Sequence, residues 1–227
     1  MLHHKSDILT LSDDSTLRDL IGQENPNKRN NFIVVRDPVT GKILQTRKNL
    51  VVRKGREFNL RKMFNIPYPT ENQTQLNNRV INVFGIGSGG TPLADPFNPI
   101  APTPADVGLS KEVAFRTMPN GTPLPAEDVA KYTDSRSAGS TSFYKKAFTN
   151  KNIIMDDAND DYYVKLTLDI TEKDARGALV SELGLYSSQY DSGAYSNFLL
   201  ATRVTFQTEP LAIDTNKGLV IEYYVYA

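Results

Sequence analysis

The sequence lacks the residues on which most catalytic and metal sites depend. Its 227 residues include no cysteine and no tryptophan, and both histidines, His3 and His4, lie at the extreme N-terminus. The missing cysteines exclude disulfide bonds and thiolate metal sites. No histidine remains in the body of the chain to act as a general base, and no serine lies in a Gly-x-Ser-x-Gly turn. We therefore expect a protein that is not an enzyme and that has no cofactor, metal or small-molecule substrate.

Long hydrophobic runs are also missing. No apolar run approaches the roughly 18 residues that suggest a membrane span, and the N-terminus lacks the apolar core of a signal peptide. The formal net charge is zero, so no long-range field attracts the whole molecule to a membrane or to nucleic acid. These absences predict a chain that is made in the cytoplasm and has no membrane partner.

The zero net charge conceals two oppositely charged stretches. Between Lys28 and Lys62 there are eleven basic and two acidic residues, whereas between Asp156 and Asp191 there are nine acidic and three basic residues. The two stretches could pair within one subunit or between neighbours, and the basic one could contact DNA phosphates. Ordinary solvation of exposed charges explains them equally well.

Two segments are predicted to be extended arms. Residues 1–30 have little apolar periodicity apart from Ser15–Gly22, where two helical turns are expected; such a short helix must dock on something to persist. Residues 92–125 hold eight of the thirteen prolines. Proline removes backbone donors, so this insertion is predicted to cross a surface, of its own or of a neighbouring subunit. Residues 31–227 then form a single β domain.

In much of the remaining sequence, apolar and polar residues alternate with the period of two that is typical of β-strands. A turn at Asp37–Gly41 separates two β-branched runs and predicts a hairpin. Gly55–Phe64 has the four-residue spacing of a short helix, with Glu57 and Arg61 placed for an ion pair. The predicted strands are Phe32–Arg36, Lys42–Thr46, Asn49–Val52, Arg79–Phe84, Tyr162–Thr171, Leu179–Ser187, Phe198–Gln207 and Gly218–Ala227. The fold class is therefore mainly β: an antiparallel β-sandwich or barrel-like domain with one or two short helices and extended arms.

Two motifs resemble ligand-binding loops but lack essential parts. Gly85–Gly90 follows a strand as a dinucleotide-binding loop does, yet prolines follow where the phosphate-binding helix must begin. We interpret it as a hinge beside closely packed backbone. Asp156–Asp161 is acidic like a calcium loop, but it lacks the glycine at the sixth position and the glutamate at the twelfth. We interpret it as a solvated turn.

Two strands carry unusual side chains. Glu182 lies in an otherwise apolar strand, where a buried carboxylate needs a partner. Arg203 on the next strand is the natural candidate, the alternative being that Glu182 faces water. In the last strand, Tyr224 and Tyr226 share a face with Val220 and Glu222 that has little polarity. A subunit interface explains this second face, and a fully internal strand explains it almost as well.

Three segments together resemble virion structural proteins of tailed bacteriophages. They are Lys48–Arg56 leading into the short helix, Val83–Thr91 followed by Ala94–Leu109, and Ser181–Tyr186 followed by Leu200–Phe206 and a closing strand. The resemblance covers residues 48 to 227. It implies a component of the tail, neck, baseplate or fibre attachment, located in the virion and assembled with copies of itself and other virion proteins.

This resemblance leaves several alternatives open. A capsid decoration protein would share the β core and the arms. A carbohydrate-binding β-sandwich module is a different class, disfavoured because tryptophan is absent and the tyrosines concentrate in the C-terminal strands. DNA contact through the basic stretch is possible but not favoured. Seven residues are predicted to take part in the interaction between subunits: Arg53, Lys54, Arg56, Glu182, Arg203, Tyr224 and Tyr226.

Overall fold

The computed structural model describes residues 31–115, 132–133, 143–156, 161–191, 194–211 and 217–226. Several sequence predictions lie outside these residues. They are the N-terminal arm 1–30 with its helix Ser15–Gly22, residues 116–125 of the proline-rich insertion, and the centre of the Asp156–Asp161 turn.

A five-stranded antiparallel sheet forms one layer. Its order is β2 (Ile43–Lys48), β1 (Phe32–Arg36), β12 (Leu219–Tyr226), β9 (Asp161–Ile170) and β8 (Asn150–Asp156). The predicted β1–β2 hairpin is confirmed. Its turn is held by the Asp37 carboxylate, which accepts from the amides of Val39 and Thr40 at 2.9 and 3.0 Å. Gly41 then adopts a φ of 69°, a left-handed conformation that costs glycine little.

A seven-stranded antiparallel sheet forms the second layer. Its order is β3 (Leu50–Val51), β11 (Ala194–Pro210), β10 (Leu179–Asp191), β4 (Arg79–Gly87), β7 (Lys145–Ala147) and β6 (Tyr132–Thr133), while β5 (Glu112–Val113) also pairs with β4. The long hairpin of β10 and β11 forms the middle of this sheet. Neither sheet closes on itself, so the architecture is the sandwich, and the barrel-like alternative is wrong.

The core lies between the two sheets. It is built from alternate residues of the facing strands, because successive side chains of a strand point to opposite faces. Buried members include Ile33, Phe84, Leu168, Leu183, Phe206 and Ile221. The hydroxyl of Tyr223 in β12 lies 2.6 Å from that of Thr202 in β11, so a hydrogen bond joins the sheets inside the core.

Two helices lie between β3 and β4. Helix α1 (Arg53–Phe64) includes the predicted Glu57–Arg61 ion pair, which is confirmed at 2.9 Å. Helix α2 (Gln73–Asn78) begins with a capping box formed by Asn72 and Gln75. The second helix was not predicted, and neither were β5, β6, β7 and β8.

Strand β11 contains an irregularity that a strict period of two does not predict. Simple alternation places Leu200 on the same face as Thr202, Val204 and Phe206. In the structure, a register irregularity sets Thr202 opposite Leu185 but Leu200 opposite Tyr186. The extra residue turns Leu200 to the outer face, where it packs in a separate apolar cluster.

Candidate interaction surface

Helix α1 packs against β11 at the edge of the seven-stranded sheet, where β3 ends. The amide of Val52, just before the helix, donates to the carbonyl of Ala201 in β11 at 3.1 Å. Gly55 allows this approach, because a Cβ at that position would lie 2.0 Å from the same carbonyl oxygen. Phe58 is the other buried residue of the helix. The helix therefore packs closely on β11 through a narrow face near its start.

The proline-rich segment covers part of the outer face of the same sheet. Thr208 in β11 donates its amide to Pro96 at 2.9 Å, and the Thr205 hydroxyl donates to the Ile100 carbonyl at 2.7 Å. The described part of the predicted insertion therefore crosses the surface of its own chain. We call α1 and residues 91–111 together the covering layer.

The covering layer is fastened to the sheet by the carboxylate of Glu182. This side chain is fully buried and lies on the outer face of β10. Its oxygens accept from the backbone amides of Gly89, Ser110 and Lys111 at 3.1, 3.1 and 2.9 Å. The predicted pairing with Arg203 is confirmed, with the Nη2–Oε2 distance 2.6 Å. The alternative, in which Glu182 faces water, is wrong.

Arg203 extends the same network into the proline-rich segment. It donates to Asp106 at 2.6 Å and to the Ser110 hydroxyl at 2.7 Å. Burial alone lowers the pKa of a guanidinium, but the hydrogen bonds to Asp106 and Glu182 outweigh it and raise the pKa of Arg203. Burial likewise opposes ionisation of Asp106, yet Thr103 and Arg203 hold the pKa of that carboxyl below its usual value. Both groups therefore remain charged.

The glycine-rich turn exists because this network approaches the backbone closely. A Cβ on Gly87 would lie 2.5 Å from the Glu182 carboxylate, and one on Gly89 would lie 2.9 Å from it. A Cβ on Gly90 would lie 1.9 Å from the carbonyl oxygen of Ser181. The close packing predicted for Gly85–Gly90 is thus confirmed, and its partner is a carboxylate and a strand of this chain.

Basic side chains surround the junction of α1 and the proline-rich segment. Arg53, Lys54 and Arg56 are all exposed at the start of α1, and the Arg53 amide donates to the Pro104 carbonyl at 2.8 Å. Lys54 forms an exposed ion pair with Glu57 at 3.1 Å. Asp106, a partner of Arg203, lies two residues beyond Pro104, so the start of α1 contacts the segment that Arg203 also holds.

Large apolar side chains are exposed along the same layer. In α1, the fractional exposure is 57% for Leu60 and 64% for Phe64. Their spacing predicted a helix, but the face that they form points to solvent. The remaining exposed apolar residues of the layer and of the turn after α1 are Met63, Ile66, Leu93, Phe97, Ile100 and Val107. Large apolar groups that are exposed close together in a monomer commonly serve as an interaction surface.

A cavity of about 440 Å³ opens beside the proline-rich segment. Val107, Leu109, Glu112, Lys145, Tyr186 and Phe198 contribute to its lining. Glu112 lies 2.5 Å from the Lys145 ammonium and accepts from the Tyr186 hydroxyl at 3.2 Å. Burial, followed by the charge of Glu112, raises the pKa of Tyr186, so its hydroxyl stays protonated. The cavity is lined by both apolar and polar side chains.

The two predicted tyrosines of the last strand lie elsewhere. Strand β12 is internal to the five-stranded sheet, and Tyr224 is buried, with its ring stacked on Phe32 at a centroid distance of 4.5 Å. The fully internal alternative therefore describes this strand within the subunit. Tyr226 pairs with Tyr163 through the backbone, and its side chain lies outside the described part of the chain.

Sequence reasoning missed Asp106 and the exposed face of α1. Asp106 lies in a segment without periodicity, so no pattern marked it as a partner of Arg203. Among the described residues there is no cluster of three or more His, Cys, Asp or Glu side chains that could hold a metal ion. None of the helices in the described ranges is long and apolar enough to cross a membrane.

The sequence and the fold were compared with protein-family models, with curated proteins and with solved structures, and none of these comparisons gave a match.

Proposed function

We propose that this chain is a non-enzymatic structural subunit of a tailed-phage particle. It belongs to the tail, neck, baseplate or fibre-attachment region, and it contacts copies of itself and other virion proteins through the covering layer. The observation that carries this proposal is the exposed apolar face of α1 beside the proline-rich segment. Supporting it are the exposed basic residues Arg53, Lys54 and Arg56 at the same site.

The construction of the covering layer suits a docking surface. An interface loses less entropy on binding when its backbone is already fixed. Here the Glu182–Arg203–Asp106 network and the contacts of α1 with β11 fix the backbone under the exposed groups. The cavity next to Val107 offers a place for one side chain of the partner, since interface energy concentrates where an anchor fills a pocket.

The experiment compares self-association and particle incorporation for matched surface variants. The double substitution Leu60→Ser with Phe64→Ser removes apolar groups that are mostly exposed, so the fold should survive. We expect it to shift the sedimentation profile toward the monomer, or to reduce incorporation into particles at least tenfold. Val39→Ser is the control, because Val39 is 76% exposed in the β1–β2 turn, outside the covering layer.

Two results would overturn the proposal. The first is absence of the chain from purified particles of the phage that encodes it, measured by mass spectrometry. The second is a double variant that associates and enters particles as well as the Val39→Ser control does.

A further inference from the structure

The outer face of the five-stranded sheet carries a second apolar cluster. It consists of Phe32, Val34, Ile43 and Tyr224, with Tyr163 packed against it. All of these residues belong to strands of that sheet, and none lies on the core side. Val34 and Ile43 are only 0% and 5% exposed. One face of a sheet cannot exclude water from itself, so another layer must lie over this cluster.

We infer that residues 1–30 of the same chain form that layer. The described chain begins at Asn31, whose carbonyl accepts from the Asn49 amide at 2.8 Å, so the N-terminal segment enters beside this sheet. Phe32 is the next residue and is a member of the cluster. The segment is thus attached at the face that needs covering.

The length and composition of the segment suit this role. Thirty residues can extend about 100 Å, whereas five strands span only about 20 Å, so the segment can cross the sheet more than once. It also contains apolar residues in two groups, which are Ile8, Leu9 and Leu11, followed by Leu17, Leu20 and Ile21. These groups are the counterpart that the apolar cluster on this face requires.

The other stretches outside the described residues are poorly placed. Residues 116–131 and 134–142 connect β5, β6 and β7, all of which belong to the opposite sheet. Residues 157–160 and 192–193 are short connections within hairpins, and 212–216 is a five-residue link between the sheets. Residues 1–30 are therefore the long stretch that starts at the five-stranded sheet. This assignment is independent of the proposed role in a virion.

The test is disulfide formation in the full-length chain, which has no native cysteine. Lys48→Cys places a thiol at the rim of the face, because Lys48 is exposed and pairs with Phe32. It is combined in turn with a cysteine at Leu9, Leu11, Leu17 or Leu20. We expect at least one pair to form an intrachain disulfide on mild oxidation, recognised by faster migration in a non-reducing gel and by the mass of a single chain.

The matched control replaces Lys48→Cys by Ile153→Cys. Ile153 is 73% exposed, but its register with Val164 places it on the opposite face of the same sheet. The same N-terminal cysteines should not link to it. Disulfides that form only between two chains would overturn the same-chain assignment and identify a neighbour's segment as the cover.

A second measurement covers the case in which no cysteine pair is aligned. Leu17→Asp and Leu20→Asp should each lower the urea midpoint of the full chain, since a charge cannot enter an apolar layer cheaply. Leu93→Asp is the control, because Leu93 is 96% exposed. If no disulfide forms and the leucine variants unfold at the same midpoint as Leu93→Asp, residues 1–30 do not cover this face.

Discussion

The carboxylate of Glu182 and the guanidinium of Arg203 lie 2.6 Å apart beneath the covering layer, where both side chains are buried. Removing one partner of such a pair leaves the other charge without compensation, which costs about 3–5 kcal/mol. We therefore expect Glu182→Gln to reduce the free energy of unfolding by about that amount. Urea denaturation at neutral pH measures the change.

A matched control for that substitution is Lys54→Gln, which breaks an exposed ion pair with Glu57. Such a pair contributes only about 0.3–0.5 kcal/mol. Replacing both Glu182 and Arg203 by apolar residues should cost less than the sum of the single replacements, because neither charge is then left alone. A Glu182→Gln midpoint equal to that of Lys54→Gln would show that the pair does not fasten the layer.

A second prediction concerns the glycine-rich turn, where there is no room for a side chain at Gly90. A Cβ at Gly90 would lie 1.9 Å from the Ser181 carbonyl oxygen, and that atom belongs to a central strand that cannot move away easily. We expect Gly90→Ala to destabilise the protein by roughly 1–3 kcal/mol or more. Gly108→Ala should stay within about 0.5 kcal/mol of the original protein, since no atom lies within 4 Å of the added methyl group. Equal melting temperatures for the two variants would contradict this account.

Much of the fold could be predicted from the sequence, because its long strands alternate clearly. Strands β9, β10, β11 and β12 were all recognised from their period of two. Strand β8 (Asn150–Asp156) was missed because it does not alternate: three polar residues precede three apolar ones, and two of these, Ile153 and Met155, are exposed at an edge of the described sheet. Helix α2 was missed because its six residues have no apolar stripe, and only the local Asn72–Gln75 capping box marks its start.

The candidate site was predictable only where one strand carried the signal. Glu182 stood out as a charge among apolar neighbours, so a partner on the next strand could be anticipated. The contribution of Asp106 could not be anticipated from the sequence, since it depends on the path of the proline-rich segment across β11. The exposure of Leu60 and Phe64 depends likewise on which face of α1 packs, and Gly55 and Phe58 decide that face.

Acid sensitivity is predicted at Glu222. Burial raises the pKa of this carboxyl, but Lys165 at 2.5 Å and Arg36 at 2.6 Å outweigh it and lower the pKa in the folded state. A lowered pKa gives stability that is present above the unfolded value, about 4.3, and is lost as pH falls through the folded value. Glu222→Gln should therefore flatten the loss of stability below about pH 4.3 in urea titrations.

The pKa of Glu209 is shifted in the opposite direction from that of Glu222. Its pKa is raised by burial, against the hydrogen bond from Gln45, so its ionisation in the folded state is unfavourable. Its contribution is present at low pH and is lost as pH rises through the folded value. Glu209→Gln should thus stabilise the protein at neutral pH, whereas Glu222→Gln should not. If both variants changed the free energy of unfolding at neutral pH in the same direction, the pKa shifts assigned to Glu209 and Glu222 would be refuted.

The last prediction concerns the partner of the basic stretch Lys28–Lys62. Three members of the acidic stretch form ion pairs within the subunit: Asp174 with Lys146, Glu172 with Arg176, and Glu182 with Arg203. Arg53 is exposed at the start of α1, and Lys54 is exposed as well, although it pairs with Glu57. They are placed to meet a negatively charged surface outside the subunit.

Reversing Arg53 and Lys54 to Glu should weaken association between subunits if that surface is a protein. Added salt should weaken it as well, since exposed charges are screened over about 8 Å at physiological ionic strength. Lys42→Glu is the control, because Lys42 is exposed in the β1–β2 turn, outside the covering layer. Sedimentation velocity at low and high salt measures these effects.

We favour a protein over DNA as the partner of the basic stretch, since the zero net charge of the chain gives no long-range attraction to DNA. Tight duplex binding with a steep salt dependence, lost in the reversed variant while association stays intact, would reverse that preference.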